Sequence, residues 1–247
     1  MKDTSDPNYV RSARLVKQFE DEYGEDWEGT MIDYDNDYVS LPLYVGGALT
    51  HGNLRTVLQW IGKGKIKERV NAKCEDGGNA GLLFLAAGSH QHDLMSYLLL
   101  NGADINILDS AGISMLTKSC TSLFIDKVDY SGENRMLLSW GAELFLDGKH
   151  ITSQEMKLSL CDALVKNGYI AIANLMSSEL GGRRCEIVSA PNTRGDLVGK
   201  TCVVEEYINE SDQYKVTMEF TNESLLIGSD NLKRRDRTPQ DPGYYVE

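Results

Sequence analysis

Two histidines and an aspartate lie close together in the sequence, in a pattern that can bind a metal ion. His90, His92 and Asp93 offer two imidazoles and a carboxylate between positions 90 and 93. A zinc site needs three or four ligands that converge on one point, and no other group in the chain has a matching spacing. A turn between two helices explains the same residues more simply. We therefore predict no metal site.

The possible nucleophiles also lack the neighbours that catalysis requires. Ser119 or Cys120 would need a nearby histidine and an orienting acid, and no recognisable catalytic motif surrounds either residue. The glycine and lysine run at 62–65 lacks the preceding glycine and the following Ser or Thr of a phosphate-binding loop. We therefore predict that the protein is not an enzyme and uses no cofactor.

The sharpest local concentration of charge lies near the C-terminus. Lys233, Arg234, Arg235 and Arg237 surround Asp236 in a single run. Such a run can contact phosphate, an acidic peptide or the acidic N-terminal region of the same chain. The alternative is a solvated turn that follows a strand. These four basic residues form a possible anion- or peptide-binding site.

The overall composition is that of an ordinary globular protein with an acidic balance. The chain has 247 residues, 41% of them hydrophobic and 25% charged, and its formal net charge is −12. This charge disfavours non-specific attraction to nucleic acid or anionic lipid, although specific nucleic-acid binding stays possible. No window approaches the roughly 18 apolar residues of a membrane span, so no membrane partner is expected. Five cysteines without C-x-x-C spacing fit reduced, partly buried thiols.

The first part of the chain is its most acidic segment. Residues 1–40 carry 4 Lys/Arg against 11 Asp/Glu, a net of −7. Leu15, Val16 and Phe19 nevertheless have helix-like spacing, and Asp6 before a proline is typical of a helix start. We expect 1–40 to be an acidic, partly helical segment. Because it lacks secretory or transit features, we expect a cytoplasmic or nuclear protein.

A pattern in the middle of the chain indicates paired helices. Residues 86–90 read Ala-Ala-Gly-Ser-His, a leucine-rich stretch runs through 94–99, and 101–106 read Asn-Gly-Ala-Asp-Ile-Asn. Small residues let two helices approach closely, and glycine ends the second helix by adopting a positive φ. The pattern resembles the ankyrin repeat, in which a paired alanine, a turn, a leucine-rich helix and a Gly-Ala-Asp-Val-Asn loop follow one another.

Three further segments extend this resemblance. Residues 109–117 match the Asp-x-x-Gly-x-Thr-Pro-Leu-His turn of ankyrin repeats, with Ser114 replacing threonine as the helix cap. This unit has about six extra residues, which we assign to an enlarged loop at 126–134. More degenerate units start near Ala48 and Leu158. We predict an ankyrin-type α-solenoid of about four degenerate repeats over 41–182.

After Gly182 the sequence changes to short β-rich runs. They lie at 185–188, 201–204, 214–220 and 225–227, separated by Asn, Gly and Asp. Alternation in the third run predicts that every second side chain from Tyr214 to Phe220 faces a core. We expect an SH3-like or Tudor-like small β-barrel with a C-terminal tail over 183–247. The predicted fold class is α+β multidomain, a helical solenoid followed by this barrel.

A wider resemblance covers roughly residues 41–247. The order of 197–200, 213–216 and 230–232, followed by the arginine-rich run, resembles a group of ankyrin-repeat proteins of photosynthetic protists. Some members of that group also carry a MYND-type zinc finger. No C-x-x-C pair occurs here, so that zinc function does not carry over to this chain.

The resemblance to ankyrin repeats implies a protein-binding surface. Ankyrin proteins usually hold a partner with their turn tips and inner helices. The corresponding positions here are Glu75, Asp76, Asn79, Phe84, Ser89, His90, Asp109, Ser110 and Lys149. We predict a non-enzymatic adaptor, with the barrel as a cap or second binding surface. The alternatives are a reader of nucleic acid, chromatin or modified peptides acting through the arginine-rich turn, and a regulatory subunit of an enzyme complex.

Overall fold

The structure is a computed structural model that describes residues 38–126, 128–189 and 194–243. In these residues a series of helices is followed by a β-sheet. The helix predicted after Asp6 lies outside the described residues. The described helices, in chain order, are α1 Leu43–Thr50, α2 Leu54–Gly62, α3 Ile66–Arg69, α4 Leu82–Gly88, α5 His92–Leu100, α6 Met115–Asp126, α7 Ser131–Ser139, α8 Gln154–Lys166 and α9 Ile170–Ser177. None of them is both long enough and apolar enough to cross a membrane.

The strands form two short hairpins and one larger sheet. The hairpins are β1 Lys73–Cys74 with β2 Ala80–Gly81, and β3 Phe145–Leu146 with β4 Lys149–His150. The sheet strands are β5 Arg184–Ile187, β6 Thr201–Ile208, β7 Gln213–Met218, β8 Ser224–Gly228 and β9 Leu232–Arg234. The chain is therefore a mixed α/β protein.

The chain divides into two compact units between Ala111 and Gly112. In the first unit α1 packs against α2, α4 packs against α5, and α1 also contacts α4. In the second unit α6 packs against α7 and α8 against α9, while α6 contacts α8 and α7 contacts α9. The helices expected at 94–100 and 156–164 are present. The arrangement of all pairs as one continuous solenoid stays a prediction.

The helix boundaries follow from local sequence signals. Ser114 precedes α6, and its hydroxyl accepts from the amide of Thr117 at 3.4 Å, as expected of a cap. Gly102 follows α5 with φ of 89°, a left-handed conformation that glycine adopts without strain. The extra residues of the third helix pair lengthen α6 to 12 residues, against 7 in α4. The loop predicted at 126–134 is shorter than expected, because α7 already begins at Ser131.

The larger sheet is antiparallel, with the order β8-β7-β6-β5-β9. The last strand returns beside the first, after a 3-10 turn at Ser229–Asn231. A register shift between Val204 and Glu206 bends β6. In the described residues β8 and β9 are the two edges and do not pair with each other, so the closed barrel is not found. With three residues, β9 is short for a strand that must close a sheet.

One side of this sheet carries the core of the C-terminal region. Tyr214, Val216 and Met218 are buried, as the alternation in the sequence predicts. Phe220 is 69% exposed, so that part of the prediction is wrong. The strand ends at Met218, and the turn that follows buries Glu219 instead of Phe220. The other members of this core are Cys185, Ile187, Leu197, Cys202, Val204, Ile227 and Leu232.

Candidate interaction surfaces

The turn of the first hairpin presents two acidic side chains. Residues Glu75–Gly77 form a 3-10 turn between β1 and β2, and Gly78 leaves it with φ of 68°. Asn79 follows with φ of 57°. Gly and Asn suit these positions because both tolerate a left-handed backbone. Glu75 and Asp76 are consequently exposed.

A second turn of the same unit lies directly beside this hairpin. The amide of Ser110 donates to the carbonyl of Gly78 at 2.8 Å. The carboxylate of Asp109 accepts from the amide of Ala111 at 2.9 Å, which fixes the local backbone. The predicted contact residues of the two turns therefore lie along one edge of the first unit.

The side chains around Lys73 brace this edge. Its ammonium donates to the carbonyl of Leu108 at 3.0 Å and lies 5.1 Å from the ring centre of Tyr38. The hydroxyl of Tyr38 donates to Asn79 at 3.3 Å. These contacts hold the hairpin, the preceding chain and the following turn together. We name the edge formed by residues 75–79 and 109–110 the acidic turn edge.

The remaining predicted contact residues lie elsewhere. Phe84 on α4 and Ser89 just after it are partly buried, and His90 is exposed with φ of 54°. Lys149 is exposed in β4 and belongs to the second unit. In the described part of the chain no three His, Cys, Asp or Glu side chains are grouped in a way that could hold a metal ion.

The arginine-rich run makes ion pairs within the chain. Arg234 lies 2.7 Å from Glu143 and 2.8 Å from Asp236. Arg235 lies 2.9 Å from both Glu186 and Asp241. Carboxylates therefore already contact the two central arginines of the predicted anion-binding site. Lys233 is exposed on β9.

Arg237 and Arg184 share a buried carboxylate. Glu219 is only 4% exposed, and its Oε2 accepts from Arg184 Nε at 2.9 Å and from the Thr201 hydroxyl. Its Oε1 lies 2.6 Å from Arg237 Nη2, an ion pair without hydrogen-bond alignment. Arg184 also donates to both oxygens of Asp241, at 2.9 and 3.0 Å. We name these five side chains the buried ion-pair cluster.

Sequence reasoning missed Arg184 and Glu219 as members of this cluster. The alternation in β7 predicts an inward Phe220 and therefore an outward Glu219. An arginine pair opening a β-rich segment is a weak signal, because most arginines are exposed. Their proximity depends on the pairing of distant strands, which local patterns do not specify.

The arginines depress the pKa values of two carboxylates. Burial alone would raise the pKa of Glu143, but the charge of Arg183 and the hydrogen bond from Arg234 outweigh burial and lower it. Hydrogen bonds from Arg184 lower the pKa of Asp241. Both acids therefore stay ionised under ordinary conditions, which preserves their ion pairs.

Arginines also attach the sheet to the helices of the second unit. Arg183 donates to the carbonyl of Leu138 at 3.2 Å and to Glu143 at 3.1 Å. Arg237 donates its backbone amide to the carbonyl of Ser139 at 3.0 Å and its Nε to the Ser139 hydroxyl at 3.2 Å. The end of α7 and the residues after it are therefore bonded to the sheet.

The candidate nucleophiles Ser119 and Cys120, and the ring of Tyr214, are buried in the interior of the protein. Burial raises the pKa of Cys120 to about 12, and Ser119 donates to the carbonyl of Leu116, so neither has the setting of an activated nucleophile. The rings of Tyr207 and Tyr214 lie 4.9 Å apart, but Tyr214 is buried in the core. A reader of methylated peptides would need an aromatic cage with open ring faces, and Tyr214 does not offer one.

Comparisons with known proteins do not assign the chain to a family. No family model matches it, and no curated protein matches it.

Proposed function

We propose that the protein is a non-enzymatic adaptor that binds a protein partner. In this proposal the helix pairs of 41–182 are degenerate ankyrin-type repeats and residues 183–247 form an SH3-like module. The short hairpins before α4 and near α8, and the contacts between successive helix pairs within each unit, support the repeat assignment. The sheet order, with the first strand between the second and the last, supports the SH3-like assignment.

The observation that carries the proposal is the acidic turn edge. Backbone hydrogen bonding between Ser110 and Gly78 joins the two turns, so the backbone positions that carry Glu75, Asp76 and Asp109 are fixed relative to one another. A preorganised surface loses little conformational entropy when a partner binds. Glu75, Asp76 and Asp109 give this edge a negative charge. A partner that presents lysine or arginine side chains would complement it.

The ion pairs of the arginine-rich run weigh against the nucleic-acid reader. Phosphate binding by Arg234 or Arg235 would compete with Glu143, Glu186 and Asp241. The contact of Arg234 with Glu143 favours a structural role, in which the sheet is bonded to the segment after α7 and caps the helices of the second unit. The regulatory-subunit alternative shares the adaptor surface and differs only in the identity of the partner.

The proposal is tested by comparing the partners captured by the wild-type protein with those captured by a variant whose acidic turn edge is charge-reversed. The full-length protein carrying Glu75→Arg and Asp76→Arg is compared with wild type as bait in its native cell, and the bound proteins are quantified. The matched control carries Glu155→Arg and Asp162→Arg on α8, which makes the same change in charge at exposed positions. We expect the turn variant alone to lose a specific partner. Equal capture by all three proteins would refute the proposed surface.

A further inference from the structure

The two edges of the sheet differ in how they are protected. Edge strands are usually blunted by charge, proline or shortness, because their free backbone groups can pair with another chain. The edge strand β9 is three residues long and contains Lys233 and Arg234. The opposite edge, β8, is the five-residue sequence Ser-Leu-Leu-Ile-Gly, without a charge or a proline. β8 thus lacks the protection that β9 has.

The hydrogen bonding of the β7–β8 hairpin shows which groups of β8 point outward. The amide of Met218 donates to the carbonyl of Glu223 at 3.0 Å, while the carbonyl of Met218 accepts from the amide of Asn222 at 3.0 Å. Met218 and Glu223 are therefore a hydrogen-bonded position of the ladder, with one bond across it, at the end of the hairpin. Hydrogen-bonded and non-bonded pairs alternate along an antiparallel ladder. With Thr217 opposite Ser224 and a regular register beyond it, Ser224, Leu226 and Gly228 turn their N–H and C=O groups away from β7.

These outward groups are accompanied by an exposed apolar side chain. Leu226 is 49% exposed on β8, and Phe220 in the preceding turn is 69% exposed. Ile227 is buried, so β8 stays anchored to the core while its outer edge faces away. Across the described residues no other strand pairs with this edge. A strand added here would gain backbone hydrogen bonds and an apolar contact.

The acidic residues near β8 favour an added strand that carries basic side chains. Residues 203–230 contain seven acids (Glu205, Glu206, Glu210, Asp212, Glu219, Glu223 and Asp230) and one base, Lys215, a net of −6. Glu219 and Glu205 are bound to arginines, and Arg194 pairs with Glu223. Of the other four acids, Glu206 lies opposite Lys215 on the neighbouring strands. Asp212 and Asp230 lie at the Gly228 end of β8, where the Ser229 hydroxyl donates to Asp212 at 3.5 Å. An extended segment with basic residues complements this region.

We propose that β8 is a docking edge for an extended segment of a partner protein, which alternates apolar and basic residues and adds as a sixth strand. The added strand pairs with the outward groups of Ser224, Leu226 and Gly228, and its apolar side chain covers Leu226. This deepens the proposed adaptor function, on which it rests, by assigning a second site and the chemistry of its ligand. The site is distinct from the acidic turn edge.

The test uses a synthetic probe and the full-length protein. The probe is a fluorescein-labelled peptide of sequence Lys-Val-Lys-Val-Lys-Val-Lys, and binding is measured by fluorescence anisotropy. We expect Leu226→Lys, which puts a charge on the edge, to weaken binding about tenfold. Leu158→Lys is the matched control, because Leu158 on α8 is 47% exposed and receives the same charge. Ser224→Pro removes one outward N–H without removing a bond to β7, and should also weaken binding.

One further probe separates strand addition from charge attraction, and one further measurement tests for self-association. A peptide with all of its backbone nitrogens methylated keeps its charge but has no N–H donor on either edge, and should bind at least about tenfold more weakly. Equal binding of both peptides, or no binding of the parent peptide at about 1 mM, would overturn the proposal. A Leu226-dependent dimer in sedimentation velocity would overturn it in favour of a second copy as the occupant.

The outcome for β8 is separable from the outcome for the acidic turn edge. Glu75→Arg with Asp76→Arg should leave peptide binding unchanged, because neither residue belongs to the sheet that contains β8. If partner capture depends on the turn edge but the peptide does not bind β8, the adaptor proposal stands and the docking proposal fails. If the peptide binds β8 but no partner depends on the turn edge, the surface proposed for the adaptor fails.

Discussion

Replacing Glu219 with alanine should destabilise the second unit strongly. Glu219 is 4% exposed, and its carboxylate contacts Arg184 at 2.9 Å and Arg237 at 2.6 Å. Those two arginines are themselves 2% and 5% exposed. Removing one partner of a buried ion pair costs about 3–5 kcal/mol, because the other charge stays buried without compensation. Since Arg184 keeps Asp241, we expect the lower part of this range.

Urea unfolding followed by tryptophan fluorescence measures this loss. Replacing Trp27 and Trp60 with phenylalanine leaves Trp140 as the reporter, which is 5% exposed and adjacent to Ser139, a partner of Arg237. Glu219→Gln keeps the side-chain shape and an acceptor oxygen, so it should fold and show a smaller loss.

The exposed pair of Glu223 and Arg194 supplies the matched control. Their side chains are 43% and 39% exposed, and exposed ion pairs add little to stability. Glu223→Ala should therefore leave the urea midpoint nearly unchanged. If Glu219→Ala and Glu223→Ala shifted the midpoint equally, burial would not be what makes the cluster important, and the reasoning would be refuted.

Two further predictions concern the same unit. Gly182 has φ of 70°, and a Cβ there would lie 2.6 Å from Leu138 Cδ1, so Gly182→Ala should lower the free energy of unfolding by more than about 1 kcal/mol. Gly195→Ala, with no atom within 4 Å, should be nearly neutral in the same urea titration. The lowered pKa values of Glu143 and Asp241 stabilise the fold above about pH 4, and this stabilisation is lost as the pH falls through the depressed values. Urea midpoints should therefore fall with acidification, and Asp241→Asn should weaken that dependence; an unchanged slope would contradict the assignment.

The helical elements could be predicted from the sequence because their signals are local. The residue pattern at 86–106 places α4, α5 and the turn after Leu100 where the structure has them. The ankyrin turn pattern predicts Ser114 as a helix cap in place of threonine, and Ser114 accepts from the amide of Thr117 at the start of α6. Such features depend on residues within one or two turns of each other, so the sequence contains most of the required information.

The contacts between residues that are distant in the sequence could not be predicted in the same way. The arginine-rich run was interpreted as a possible anion site because sequence shows the charges but not their carboxylate partners. Glu143 and Arg234 are 91 positions apart and meet only when α7 and the sheet pack together. The end of β7 at Met218 likewise depends on the turn that buries Glu219. These contacts are set by tertiary packing.

The bonds between α7 and the sheet limit how freely this region can be exchanged between proteins. A fragment containing only 183–247 would lose Ser139 and Glu143, leaving Arg183 and Arg237 without acceptors that they use in the whole chain. A premature stop before Asp241 would remove the carboxylate that Arg184 and Arg235 share. We therefore expect that the β-sheet and the two helix pairs before it must be kept together when the chain is shortened or when this region is transferred to another protein.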